Sequence, residues 1–329
     1  MHTPAEQYSY AFSYFRIILL GIPATVLYNL TASLIRSLGD SKTPVIFLGI
    51  CSVLNVIGDL VLIIVFGMGT AGAAAATVIS QLISGVMCLF YMKKKYPILK
   101  TEKEDWKADT KAFAYLLSNG VPMGLQFSIT AIGAVVLQAA VNSLGAVYVS
   151  ANAAGNKITQ LLITPFNSMI TTAATFAGQN LGAKKFDRIR NGVLNGLLIG
   201  LIFWAAEVLL VFTLKDRLLL LFLTGEDLLK VKEPAMLHIR IVVLCYLFLI
   251  PVNVLRPAIQ GMSFSKLALV AGFIEMLARI GTAVLAVPAC GYIAACFAAP
   301  AAWVSVNCFL FPAFFICLSK RRRAAETAV

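Results

Sequence analysis

Charged side chains are scarce in this sequence, and histidine is rarer still. Aspartate, glutamate, lysine and arginine make up 13% of the 329 residues and histidine occurs twice, whereas 60% of the residues are hydrophobic. An ordinary soluble domain is about a quarter charged. A soluble globule could not bury this much apolar surface, so lipid must be the solvent for most of the chain.

Several kinds of site are missing as well. His2 and His238 are too few and too far apart for a metal site, and no Ser-His-Asp or Cys-His arrangement can be proposed because neither histidine is expected in a cleft. The seven cysteines contain no C-x-x-C pair, and their odd number argues against a disulfide framework. Gly67–Gly72 fits G-x-G-x-x-G, but a membrane-length run precedes it and no acid follows. We therefore expect no enzyme activity, no metal and no cofactor.

The apolar residues are grouped in long runs. A membrane-spanning helix needs about 20 mostly apolar residues, and nine runs satisfy that measure. The runs are long and do not alternate as barrel strands do, so the sequence predicts an all-α polytopic membrane protein. The nine predicted spans are Tyr10–Ile35, Val45–Phe66, Ala71–Met92, Ala112–Val141, Val149–Phe176, Gly192–Leu214, Ala235–Ile259, Leu267–Val287 and Tyr292–Leu318.

The positive charges between these runs predict the orientation of the chain. The connections after the first, third and fifth predicted spans are basic, as is the tail after the ninth, whereas those after the second, fourth and eighth contain no lysine or arginine. The connection after the sixth is mixed, its cations matched by acids. Cytoplasmic loops of membrane proteins carry such an excess. The pattern predicts a cytoplasmic C-terminus. It also explains the net charge of +12, so a nucleic-acid partner is not needed to account for that charge. The sequence has no basic face interleaved with aromatic residues, which nucleic-acid binding would require.

Two distant parts of the chain repeat one pattern. Predicted spans one to three correspond to spans seven to nine, and parallel repeats of equal span number are typical of transporters. We therefore expect that a three-span block precedes Met1 in the complete protein, giving twelve spans in two pseudo-symmetric lobes with the first incomplete here. The matched pairs, all 224 residues apart, include Asn29 with Asn253, Ser41 with Ser265, Lys42 with Lys266 and Gly67 with Gly291.

Charged and amide side chains inside the predicted spans are the first candidate site residues. A charge at mid-bilayer costs about 2.5–3.5 kcal/mol, so such residues face an interior or a cavity. Glu275 and Arg279 are four residues apart on the eighth predicted span and can pair directly, and Asn55 and Asp59 have the same spacing on the second. These four are candidates for ion coupling, and a static clamp between helices is the alternative.

A second set of candidates forms a polar stripe. Positions 152, 156, 160 and 167 of the fifth predicted span fall on one helical face. Such a stripe indicates either a water-filled path or hydrogen bonding between helices. The candidates for a substrate path, on the fourth, fifth and seventh predicted spans, are Gln126, Thr130, Asn142, Asn152, Asn156, Gln160, Asn253 and Arg256.

Three stretches of this sequence resemble the multidrug and toxin extrusion (MATE) transporters. Their fourth to sixth helices are similar to RSLGDSKTP and the apolar segment that follows it. Their seventh helix is similar to NGVPMGLQFSITAIGAVVLQAAVNSLG, and their eighth to TPFNSMITTAATFAGQNLGAKKFDRIRNGV. The resemblance implies twelve helices in two six-helix lobes. Residues 1–92 would then be the second half of the N-terminal lobe, 93–111 a cytoplasmic linker, 112–319 the C-terminal lobe and 320–329 a basic cytoplasmic tail.

The resemblance also implies a function. Members of the family export organic cations and other amphipathic compounds in exchange for Na+ or H+ by alternating access. One bacterial branch has an acidic cation ligand in the seventh helix where this sequence has Thr130, and another relies on acids of the first helix, so the coupling ion stays open.

We therefore expect a multidrug efflux antiporter that works as a monomer in the lipid bilayer, with an organic cation as substrate and no nucleic-acid partner. The lack of a targeting segment favours a bacterial inner membrane. One alternative is a flippase for lipid-linked saccharides, a related architecture that would favour a more cationic cavity. The other is an inactive truncated product.

Overall fold

Helices and short connections make up the described part of the chain. The computed structural model describes residues 5–99, 105, 107, 109–220 and 226–327, and these residues contain no β-strand, which confirms the all-α prediction for them. The chain divides into two units, Met1–Ala108 and Asp109–Val329. The predicted linker at 93–111, the connection after the sixth predicted span and the end of the predicted tail lie partly outside the described residues.

The first unit is built around one long helix, α4, against which the three preceding helices pack. A bend of 43° separates α1 from α2 at Gly21, two residues before Pro23, whose ring cannot continue a regular helix. A π-helical turn at Val61–Val65 extends α3. The helices are α1 (Ala5–Leu20), α2 (Ile22–Ser37), α3 (Lys42–Leu60) and α4 (Gly69–Lys95).

The start of α3 is tied to the end of α4 through Asp40. Its carboxylate accepts hydrogen bonds from the Thr43 backbone N–H (3.0 Å) and hydroxyl (2.9 Å), and from the Tyr91 hydroxyl (2.8 Å). Lys95 Nζ lies 3.3 Å from the same carboxylate. These bonds, the Thr43 N–H first among them, hold the pKa of Asp40 well below its usual range.

The second unit surrounds α9, which packs against α6, α7, α8 and α12, while α5 packs mainly against α10. Tyr246, Ile250 and Leu255 of α9 are almost fully buried in its core. The helices are α5 (Thr110–Asn142), α6 (Ala146–Leu162), α7 (Thr164–Gly182), α8 (Phe186–Leu220), α9 (Glu226–Gly261), α10 (Ser265–Gly281), α11 (Val287–Cys290) and α12 (Tyr292–Glu326), with a π-helical segment at Thr282–Ala286 between α10 and α11.

Eight of the nine predicted spans correspond to helices that could cross a membrane. Seven helices among the described residues are long and apolar enough to do so singly, and the bent pair α1–α2 accounts for an eighth span. The fifth predicted span, Val149–Phe176, is broken between α6 and α7 at Ile163, beside Pro165. One of the nine predicted spans is therefore divided into two shorter, more polar helices. The number of spans in the complete protein stays a prediction.

The turn that the sequence repeats also repeats in conformation. Gly39, after α2, and Ser263, after α9, both adopt positive φ, +93° and +66°. Each N–H at these positions bonds to the carbonyl three residues back, and the next N–H bonds to the carbonyl five residues back, a Schellman helix ending. Gly67 and Gly291, also 224 residues apart, have φ of +65° and +64°. The three-helix segments of the two units therefore share their turns.

Candidate functional site

The polar stripe predicted on the fifth span lines a cavity of about 580 Å³ in the second unit. Ile163 separates α6 from α7, and the polar stripe continues across this break from one helix to the next. Side chains of α5, α9, α10 and α12 complete the wall. Its polar residues are Gln138, Asn152, Asn156, Thr159, Gln160, Asn167, His238 and Arg279.

A chain of amides connects this wall to the end of α5. Asn152 Nδ2 donates to Gln138 Oε1 (3.2 Å), and Gln138 Nε2 donates to Asn142 Oδ1 (2.8 Å). Asn152 is buried, whereas Asn142 is exposed and outside the cavity wall. Asn142 is therefore joined to the wall through Gln138, and its predicted contact with substrate stays a prediction.

His238 of α9 reaches the stripe because α6 has a glycine opposite it. Its Nε2 lies 3.2 Å from Asn156 Oδ1, within hydrogen-bond distance. A Cβ on Gly155 would lie 2.7 Å from His238 Cδ2, closer than any real Cβ contact, so only glycine leaves room for the imidazole. The prediction that no histidine lies in a plausible cleft is therefore wrong. A lone histidine inside an apolar span was the available signal.

Glu275 is held between two guanidinium groups. Arg279 Nη2 donates to Glu275 Oε1 (2.9 Å), which confirms the predicted pairing along α10. Arg256 Nη2 of α9 donates to Oε2 (2.7 Å), a contact that the sequence did not reveal. Glu275 is 4% exposed, and of the three side chains only Arg279 lines the cavity. Both carboxylate oxygens are thus occupied by a clamp between α9 and α10.

The other candidates on α5 and α9 lie outside the cavity wall. Gln126 is buried and accepts a hydrogen bond from Gln260 Nε2 at 3.2 Å, which joins α5 to α9. The Thr130 hydroxyl donates to the carbonyl of Gln126 in its own helix (3.0 Å). Asn253 is buried, and its Nδ2 has no hydrogen-bond partner among the described residues. Three of the eight predicted path residues, Asn152, Asn156 and Gln160, line the cavity.

Asn55 and Asp59 belong to the first unit. Both are half-buried on α3. Asn55 Nδ2 and Asp59 Oδ1 are buried, and neither atom has a hydrogen-bond partner in the described part of the chain. Unlike Glu275, the Asp59 carboxylate therefore has an oxygen that is not committed to a structural contact.

Sequence and fold comparisons point to one family. The model of the MatE family matches residues 1–61 and 122–285. The chain is 29% identical over 234 residues to the probable multidrug resistance protein YoeA of Bacillus subtilis, covering 69% of this chain and 50% of that protein. It is 33% identical over 191 residues to the probable multidrug resistance protein YpnP of the same organism, covering 57% and 42%. The chain thus spans about half the length of these curated relatives.

Solved structures share its fold. A crystal structure of MATE in complex with MaL6 superposes with a TM-score of 0.91 at 19% identity, covering 98% of this chain and 73% of that one. The Vibrio cholerae MATE transporter VcmN in the bent form superposes with a TM-score of 0.83 at 19% identity, covering 94% and 69%. At such identities the likeness concerns the fold alone.

Proposed function

This chain belongs to the MatE family of membrane transporters, and we propose that it exports amphipathic organic compounds in exchange for Na+ or H+. We propose further that this takes place in a bacterial inner membrane with the C-terminus in the cytoplasm, as the distribution of lysine and arginine favours. In this proposal the chain moves its substrates unchanged and is not an enzyme.

The observation that carries this proposal is the cavity beside the α6–α7 break. A volume of about 580 Å³ is in the range of small-molecule sites, which are mostly apolar with a few placed polar groups. Broken helices are tolerated at membrane depth where they line a cavity. Gln160 and Asn167 are exposed there, so their amides are available to a solute. A span that served only for packing would not need this polar face.

For the coupling ion we propose Asp59 rather than Glu275. A coupling acid has to exchange its ligand during each cycle, because a ligand drives such a cycle only if it binds the two states differently. Glu275 is engaged by two guanidinium groups at 2.7 and 2.9 Å, whereas one buried oxygen of Asp59 has no partner among the described residues. Releasing Glu275 would leave the guanidinium groups of Arg256 and Arg279, both partly buried, without their carboxylate partner.

A flippase for lipid-linked saccharides is the weaker alternative. It predicts a more cationic cavity, and among the described residues the wall supplies one guanidinium, whose cluster with Glu275 and Arg256 leaves a single net positive charge. That single group is a small charge for such a cargo, so we keep export of small compounds as the proposal.

Dye efflux from cells tests the proposed export function. Cells that express the gene encoding this chain are loaded with rhodamine 123 or fluorescein, and we expect accumulation of at least one dye to fall several-fold relative to vector cells. Asn156→Ala, which removes an amide from the cavity wall, should restore most of the accumulation. Asn191→Ala, at an exposed position of α8 outside the wall, should not. Equal accumulation of both dyes with and without the protein would contradict the proposal.

A further inference from the structure

We propose that the cavity of the second unit binds organic anions: molecules with a carboxylate, sulfonate or phosphate group on an apolar, planar body. This inference rests on the proposed function, because it names the substrate class of the same cavity. It departs from the sequence-based expectation of an organic cation.

The first argument is the sign of the charge on the wall. Arg279 is its only ionised side chain among the described residues, and no aspartate or glutamate lines the cavity. Glu275 lies behind Arg279 and is shared with Arg256, so the cluster consists of two guanidinium groups and one carboxylate. One positive charge is left over. In a site of low dielectric, that excess attracts an anion and repels a cation.

The second argument is the supply of hydrogen-bond donors. Arg279 Nε is buried without a partner in the described part of the chain. Asn156 Oδ1 faces His238 Nε2 at 3.2 Å, which leaves the Asn156 NH₂ to donate elsewhere. Gln160 and Asn167 add two more exposed amides to the same wall. Oxygens of an anionic group need donors of this kind, and bonds to a charged acceptor are the stronger ones.

The third argument concerns what a cation would need and does not find. Buried cations are held by carboxylates or by open aromatic faces. The aromatic side chains of the wall are Tyr246 and Trp303, whose rings pack against each other with centroids 5.8 Å apart. Tyr246 is 1% exposed and its hydroxyl donates to the Thr159 carbonyl at 2.8 Å. The rings therefore form an apolar floor rather than an aromatic cage.

The test uses two dyes that share a three-ring xanthene body and differ in charge. Fluorescein is an anion at pH 7.4, and rhodamine 123 is a cation. Binding to the purified chain in nanodiscs of zwitterionic lipid is measured by fluorescence anisotropy, with empty nanodiscs as the correction for partition into lipid. We expect fluorescein to bind at least tenfold more tightly than rhodamine 123. Equal or tighter binding of rhodamine 123 would overturn the inference.

A matched pair of variants places the binding in the cavity. Asn167→Asp adds a carboxylate to the wall without touching the Glu275 clamp, and it should weaken fluorescein binding about tenfold. Asn191→Asp adds the same charge on the exposed surface of α8 and should change the affinity less than twofold. Equal effects of the two variants would show that fluorescein binds elsewhere and would overturn the inference.

Substitution of the arginine asks whether its charge is responsible. Arg279→Gln should weaken fluorescein binding at least tenfold, and Arg279→Lys, which keeps the charge, should retain most of it. Equal affinity of both variants and the original chain would overturn the inference. Because binding needs no ion gradient, a chain that binds fluorescein but exports neither dye would contradict the proposed function alone. A chain that exports rhodamine 123 and does not bind fluorescein would contradict the inference alone.

Discussion

Glu275 and Asp59 are both acids inside apolar helices, and their surroundings differ. Glu275 has a guanidinium group on each oxygen, whereas Asp59 has a buried oxygen with no partner among the described residues. Sequence spacing predicted the Glu275–Arg279 pair because four residues make about one helical turn. It could not predict Arg256, since that contact requires α9 and α10 to pack side by side.

Neutralising Glu275 should therefore destabilise the protein. Removing one partner of a buried ion pair costs about 3–5 kcal/mol, because the remaining charges stay buried without compensation. We expect Glu275→Gln to lower the Tm of the purified chain by several degrees in a detergent thermal-unfolding assay. Asp59→Asn is the matched control, since it removes a half-buried acid that makes no ion pair with any described residue, and its Tm should stay close to that of the original chain. The clamp assignment fails if both variants unfold at the same temperature.

The polar stripe was likewise predictable within one helix but not across helices. Helical periodicity placed Asn152, Asn156 and Gln160 on one face, and these residues do line the cavity. Periodicity could not show that His238, 82 residues beyond Asn156, faces them. A residue on another helix enters a site only through packing, here through the space left by Gly155.

At the level of helices, helix breaks and close approaches between backbones decide which structure an apolar segment forms. Val149–Phe176 has the length of one span, but Pro165 removes a backbone donor and its ring disfavours a regular helix, so two helices form. The last residue of α9, Gly261, shows a close approach. A Cβ there would lie 2.4 Å from the Ala174 carbonyl oxygen and 3.0 Å from Ala177 Cβ, both on α7. The backbone of α7 cannot move away as a side chain could.

Gly261→Ala should consequently separate the ends of α7 and α9. Overpacking a close contact costs about 1–3 kcal/mol, and a contact with backbone belongs at the upper end. We expect a lower Tm and weaker fluorescein binding, since both helices contribute to the cavity wall. In Gly124→Ala, in α5, the added Cβ meets no described atom outside its own helix backbone within 4 Å. This variant should leave the Tm unchanged or raise it slightly, because alanine favours a helix over glycine. Equal stability of the two variants would rule out the close approach.

For the whole molecule, orientation in the membrane is read from charge alone. Apart from the mixed connection after the sixth predicted span, basic connections alternate with connections that lack lysine and arginine, and the turn at Cys290 and Gly291 belongs to the second kind. Cys290 is exposed. The basic tail carries Lys320 to Arg323 at the other end of α12. The two ends of α12 should therefore face opposite sides of the membrane.

Cysteine labelling tests this orientation. In a variant that keeps Cys290 and replaces the other six cysteines by serine or alanine, we expect a membrane-impermeant maleimide to label intact cells. In a cysteine-free variant carrying Ala324→Cys, in the tail, labelling should appear only after the membrane is opened. The positive-inside rule is the physical reason. Labelling of the tail position in intact cells would reverse the predicted topology.

The sequence by itself determined that lipid is the solvent for most of the chain and that the fold is all-α. It also determined most of the membrane-spanning segments and the repeated turn. Those features depend on local quantities: apolar length, charge between runs, and residues such as Gly39 that favour positive φ. Tertiary structure alone decided that Arg256 completes the clamp on Glu275, that His238 meets Asn156, and that the cavity wall, among the described residues, has a cation and no acid. These contacts join residues far apart in the chain, and only the packing of one helix on another brings their side chains within a few ångströms.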